Sequence, residues 1–146
     1  MKKHFLILII FFPAIAFAQS IVVKSAWARP AAKYANSALY FVLENNSSKT
    51  DTLLGAKSKA AEEVEVHESF GKDNDRMGMR PAGKIAIKPK SKFEFEPGGF
   101  HVMLLGVEKD LHIGDKIEVV LLLKHAGKIK IKAEVSDTPI TNKTKR

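Results

Sequence analysis

Cysteine is absent from all 146 residues. That absence excludes disulfides, thiolate metal sites, cysteine nucleophiles and a lipid-anchored cysteine. It also argues against a blue-copper electron carrier, whose centre needs a thiolate at the metal. No Gly-x-Ser-x-Gly segment and no phosphate-binding glycine loop occurs, so two common enzyme frameworks are missing. Aromatic residues make up only 8% of the chain and are not interleaved with basic ones. A nucleic-acid surface is therefore not expected. Glu62, Glu63, Glu65, Glu68, Glu94 and Glu96 mostly alternate with apolar residues, the pattern of a solvated sheet face rather than an acid–base pair. Catalysis is the weakest of the readings for lack of a constellation.

Long apolar runs are also scarce. Phe5 to Phe12 is unbroken, follows Lys2 and Lys3, and is ended by Pro13 and by Ala16-Phe17-Ala18. A basic start, an apolar middle and an A-x-A end predict a secretory signal peptide over residues 1–18, cleaved after Ala18. A transmembrane anchor is the competing reading, and the stretch is short for that role. No stable membrane insertion is expected. The exported domain lacks disulfides and must stand on its core, which about 128 residues can supply by burying roughly two-thirds of their surface.

The formal charge of +8 falls to +6 without Lys2 and Lys3, and Lys128, Lys130, Lys132, Lys143, Lys145 and Arg146 hold much of the excess near the end. Such a balance suits an acidic partner, but a solvated lysine-rich surface explains it equally.

What the sequence does contain is short strands. Ala38 to Leu43 is rich in aromatic and branched residues and is closed by Asn45-Asn46-Ser47-Ser48. Leu53-Leu54 follows, interrupted by Gly55. In Glu63 to His67, Val64 and Val66 face one way, and Glu65 and His67 the other. Residues 71–75 form a polar loop. Alternation resumes at Ile85 and Ile87 and at Phe93 and Phe95, breaks at Pro97-Gly98-Gly99, and continues through Phe100 to Leu105. Residues 116–124 and 128–135 flank His125-Ala126-Gly127 as a hairpin. No long helical period and no internal repeat is present. The pattern predicts one all-β domain over residues 19–136, a Greek-key sandwich or barrel, followed by a polar, flexible tail over 137–146.

His101 and Met103 flank Val102, so on a strand they project together. Met77 and Met79 are likewise two apart, and His67 lies on the polar side of its strand. Thioethers are soft, neutral donors that select copper(I), and imidazole is acceptable to it. Neutral donors leave a single positive charge uncompensated, which favours copper(I) over copper(II). A lone methionine usually fills a core, and a lone histidine usually lies at a surface. Spacing does not show that the three segments meet. His4 leaves with the signal; His112, in a loop, and His125, in the hairpin turn, are weaker candidates.

These residues resemble the periplasmic copper chaperones of the PCuAC family. Its hallmark is a histidine, ten residues, a methionine, twenty-one residues, then His-x-Met. Here Arg80 to Phe100 fill the twenty-one places between Met79 and His101. Residues 97–104 resemble the family's Pro-Gly-Gly segment, and residues 77–81 its Met-x-Met-Arg-Pro segment. Residues 26–29, 38–40, 45–46, 64–68, 111 and 114–115 are similar to further family segments. The chain departs in two places. His67 and Met79 enclose eleven residues, not ten, and Ser69-Phe70 stands where the family often has a methionine. The extra residue falls within 71–76, where an insertion costs little.

The resemblance implies a cupredoxin-like β-sandwich in the periplasm. It implies one Cu(I) held by His67, Met79, His101 and Met103, with Met77 a possible substitute. It implies a monomer that passes copper to an apo acceptor, the CuA domain of cytochrome c oxidase subunit II. Trp27 and Arg29 would support the site or pack. The tail carries neither histidine nor methionine, so no second copper site is expected there. Two alternatives stay open: a protein that sequesters copper without delivering it, and a β-sandwich binding module with no metal.

Overall fold

The structure is a computed structural model that describes residues 20–71 and 78–140. Residues 1–18, where a signal peptide is expected, Met77 and tail residues 141–146 lie outside the described residues.

Ten strands follow in chain order: β1 Ile21–Ala28, β2 Ser37–Asn45, β3 Asp51–Lys57, β4 Ala61–Phe70, β5 Gly78–Pro81, β6 Ile85–Ile87, β7 Ser91–Phe95, β8 Phe100–Val107, β9 Lys116–Leu123 and β10 Gly127–Val135. No helix occurs among the described residues. Alternation is plainest in the last hairpin. Ile117, Val119, Leu121 and Leu123 of β9, and Ile129, Ile131, Ala133 and Val135 of β10, are buried. Lys116, Glu118, Lys128, Lys130, Lys132 and Glu134 between them are exposed. Period two therefore gives each strand one apolar face. The turn is held from outside. The buried Asp51 carboxylate accepts the backbone N–H of His125 at 2.9 Å and of Ala126 at 2.8 Å. His125 is thus a turn residue, as its place in the sequence predicts.

The strands pair in the order β5-β4-β8-β2-β1-β10-β9-β3-β6, and β7 adds to the second half of β2. The curled sheet brings β3 back against β4 and β6 against β7. Leu39, Phe41, Val102, Leu104, Val119 and Leu121 fill the space between. Each is 0–1% exposed and stabilises the fold by about 1.5–3 kcal/mol. The all-β architecture expected from the alternation is the one observed, and the curled sheet agrees with the cupredoxin-like fold that the resemblance implies.

Two strands differ from the sequence reading. Gly55 does not end β3. The strand runs on through a register shift between Leu53 and Gly55, which an irregular pairing absorbs. β1 had no alternation to betray it, because its register shifts between Lys24 and Trp27 and Ser25 sits at φ 54°. Beyond that break β1 joins β10 in parallel through Trp27 and Ala28.

Candidate metal centre

The candidate residues lie on the outward face of β5, β4, β8 and β2, opposite the core. In the antiparallel pair β4–β8, Val66 faces Val102 and Val64 faces Leu104 toward the core. The intervening positions point out: His67 stands opposite His101, and Glu65 opposite Met103. These four side chains form a square of two cross-strand pairs. The imidazole centres are 5.9 Å apart at an interplanar angle of 67°. With imidazole–metal bonds of about 2.0 Å, one ion sharing a nitrogen from each ring sets the centres roughly 5–6.5 Å apart, a range that includes this spacing.

Each ring nitrogen has a distinct environment. His101 Nδ1 lies 3.2 Å from the Gly99 carbonyl. A carbonyl only accepts, so Nδ1 carries the proton and Nε2 keeps a lone pair. His67 Nε2 lies 2.6 Å from Glu65 Oε2. A carboxylate oxygen accepts, so in the neutral ring the proton is on Nε2 and the lone pair on Nδ1. That Nδ1 is buried and has no hydrogen-bond partner. An unsatisfied buried acceptor costs about 1–3 kcal/mol, and a soft cation would satisfy it. Burial is the largest influence on the His101 imidazole and holds its pKa below the ordinary histidine value. The Gly99 bond pulls the other way, and nearby His67 adds a small lowering.

Aromatic packing sets His101. Trp27 and Tyr40 pair across β1–β2 with ring centres 4.7 Å apart, and Tyr40 is 6.3 Å from the His101 ring. The Arg29 guanidinium stands 5.9 Å over Tyr40. Trp27 is therefore a packing residue, 4% exposed, one ring removed from His101.

The methionines differ. Met103 is half-buried beside His101. Met79 pairs with Ser69, two residues from His67, and so shares the outward face. It occupies the edge strand β5 and is 55% exposed. Gly78 permits this edge to form. The Phe70 ring lies against it on the other face, and a Cβ there would stand 2.5 Å from Phe70 Cζ. The substitute Met77 lies outside the described residues. His112 projects into solvent beside Asp115, in the loop before β9, and does not face the square.

The square brings together His67, His101 and Met103, with Met79 at its margin. Glu65 and Tyr40 are site neighbours that the sequence reading passed over. Alternation had already put Glu65 on the side of His67, but it was grouped with the solvated carboxylates. Among the described residues, no three His, Cys, Asp or Glu side chains form a group able to hold a metal. An ion at this face would have to recruit thioethers.

The family profile described as "Putative lipoprotein LpqE-like" matches residues 21–135, all ten strands. The chain belongs to this family. It corresponds to the PCuAC family of the resemblance above. Among curated relatives, "Putative lipoprotein Lxx21020" of Leifsonia xyli subsp. xyli is 29% identical over 120 residues, 82% of this chain and 72% of that protein. Among solved structures, the copper-bound PCuAC domain from PmoF2 superposes with a TM-score of 0.65 at 27% identity, over 80% of this chain and 92% of that one. The apo PCuAC domain from PmoF1 gives 0.66 at 26% identity, over 80% and 93%.

Proposed function

We propose that this chain is an extracytoplasmic copper(I) carrier that binds one ion at the outward face of β4 and β8. His67, His101, Met103 and Met79 are its ligands. The observation that carries the reading is the buried, partnerless Nδ1 of His67, on a ring whose centre is 5.9 Å from that of His101. Two neutral imidazoles and two thioethers are soft donors without charge, a set that suits copper(I). The likeness to a copper-bound PCuAC domain supports the same cargo, and the lipoprotein name of the curated relative supports a place outside the cytoplasm.

The exposed margin at Met79 suits release. An acceptor can replace the thioether first and the imidazoles afterwards. The acceptor we propose is the copper-free CuA domain of cytochrome c oxidase subunit II, reached in the periplasm by a monomeric carrier. No catalytic role is proposed.

Anaerobic copper(I) titration against a competing chelator tests the site. One tight equivalent, lost when His101 and Met103 are both replaced, is the expected result. No tight equivalent in the unaltered protein would refute copper carriage. Transfer to the apo CuA domain is the separate test of delivery, and retention of copper by the chain would favour sequestration.

A further inference from the structure

We propose that Glu65 is a positioning residue that makes Nδ1 the metal-facing nitrogen of His67, while His101 presents Nε2. The inference rests on the copper reading above and adds to it a residue outside the His/Met set. Three independent observations converge on Glu65. It occupies the fourth corner of the outward square, directly opposite Met103 and two residues from His67 on the same strand face. Its Oε2 is 2.6 Å from His67 Nε2. The other nitrogen of that ring is buried and unpartnered.

These three facts have one physical reading. A carboxylate oxygen 2.6 Å from Nε2 takes the N–H of that nitrogen, so in the neutral ring the lone pair falls on Nδ1. The ring is pre-set, with no tautomer change required when metal arrives. The carboxylate also makes the imidazole a stronger donor, as carboxylates behind metal-bound histidines do. It supplies the negative charge that a His₂Met₂ set lacks, through the ring and without occupying a coordination place. Among the described residues Glu65 makes no ion pair with lysine or arginine, and its one ionic partner is His67. Its neighbours Glu62 and Glu63 point to solvent and have no such relation to a ring.

The competing account is that the Glu65–His67 pair is a half-exposed surface contact, of a kind that contributes about 0–1 kcal/mol and directs nothing. Nitrogen-15 NMR of histidine-labelled full chain separates the two. In copper-free protein, long-range proton–nitrogen correlations should show His67 protonated at Nε2 and bare at Nδ1. On adding copper(I) anaerobically, the Nδ1 resonance should shift and Nε2 should keep its proton. Glu65→Ala should leave His67 a mixture of tautomers and weaken copper(I) about 10–100-fold, with unchanged backbone amide spectra away from β4. Glu65→Gln, whose amide oxygen still accepts, should restore the tautomer but only part of the affinity. The proposal is overturned if copper(I) displaces the Nε2 proton of His67, or if Glu65→Ala leaves tautomer and affinity unaltered. Failure of the unaltered protein to bind copper(I) would overturn the copper reading as well. The copper-free tautomer, read without metal, shows which of the two has failed.

Discussion

His67 on β4 stands directly opposite His101 on β8, ring edge toward ring face, with centres 5.9 Å apart. The same two strands face Val66 and Val102 into the core one position away. One ladder therefore serves both ends: register that buries the valines also aligns the imidazoles. A slip of β4 by one residue would turn Val66 away from the core and His67 into it, so the hydrophobic core fixes the geometry of the outward face.

Stability of the metal-free protein should depend on pH through His101. Burial lowers its folded pKa below the value of 6.5 that a free imidazole shows. Between those two values the unfolded chain binds more protons than the folded one, so stability falls as pH falls. The stabilisation is complete above the unfolded pKa and disappears as pH drops through the lowered folded value. Urea midpoints measured at steps from pH 7.5 to pH 5 should decline, and the decline should flatten in His101→Gln. An unchanged slope in that variant would show that other groups control it.

Tyr40 should matter to both stability and metal. It is 6% exposed, packed at a tilt against Trp27 and next to His101. Tyr40→Leu keeps most apolar volume but loses aromatic contacts of about 0.5–1.5 kcal/mol. The His101 ring then gains freedom, and copper(I) affinity should fall several-fold. Chemical denaturation and chelator competition on one sample check both effects. Equal copper affinity would mean Tyr40 packs without orienting His101.

Much of this was legible in sequence, and the exceptions have causes. Regular alternation in residues 116–135 and 100–105 gives strands with a clear inner face, and the structure has them there. It also puts His101 and Met103 on one side of β8, because that needs only the period of a single strand. Pairing between strands is different. Nothing local to Glu63–His67 states that β4 lies beside β8, so the cross-strand histidine pair and the place of Glu65 beside it emerge only with the fold. β1 was concealed by its bulge at Ser25. The Trp27–Tyr40 contact depends on the pairing of β1 with β2, which composition does not encode.

Asp51 should prove a purely structural carboxylate. It is 4% exposed and accepts three backbone N–H groups, from Thr52, His125 and Ala126. Burial opposes its ionisation, but those bonds prevail and hold its pKa below the ordinary aspartate value of 3.8. Its stabilisation is therefore present above that value and lost as pH falls through the lowered one. Asp51→Ala strands donors at the β9–β10 turn and should cost about 2–4 kcal/mol. The expected signature is a lower denaturation midpoint with copper(I) affinity intact in the folded fraction. Loss of copper binding at full folding would contradict a purely structural role.

The two methionines should separate stability from binding. Met79 is 55% exposed on an edge strand. Replacing such a surface side chain changes stability by about 0.5 kcal/mol or less. Met79→Ile should therefore leave the denaturation midpoint of metal-free protein in place, yet weaken copper(I) about tenfold or more, the equivalent of about 1.4 kcal/mol. Met103 is half-buried between Ala38 and Glu65, so Met103→Ile should lower both the midpoint and the affinity. Met77, two residues before Met79, supplies the control. If Met79→Ile alone binds normally and Met77→Ile with Met79→Ile does not, the thioethers substitute for one another across the extra residue in this loop. If the double variant also binds normally, neither is a ligand, and the ion is held by His67, His101 and Met103 alone.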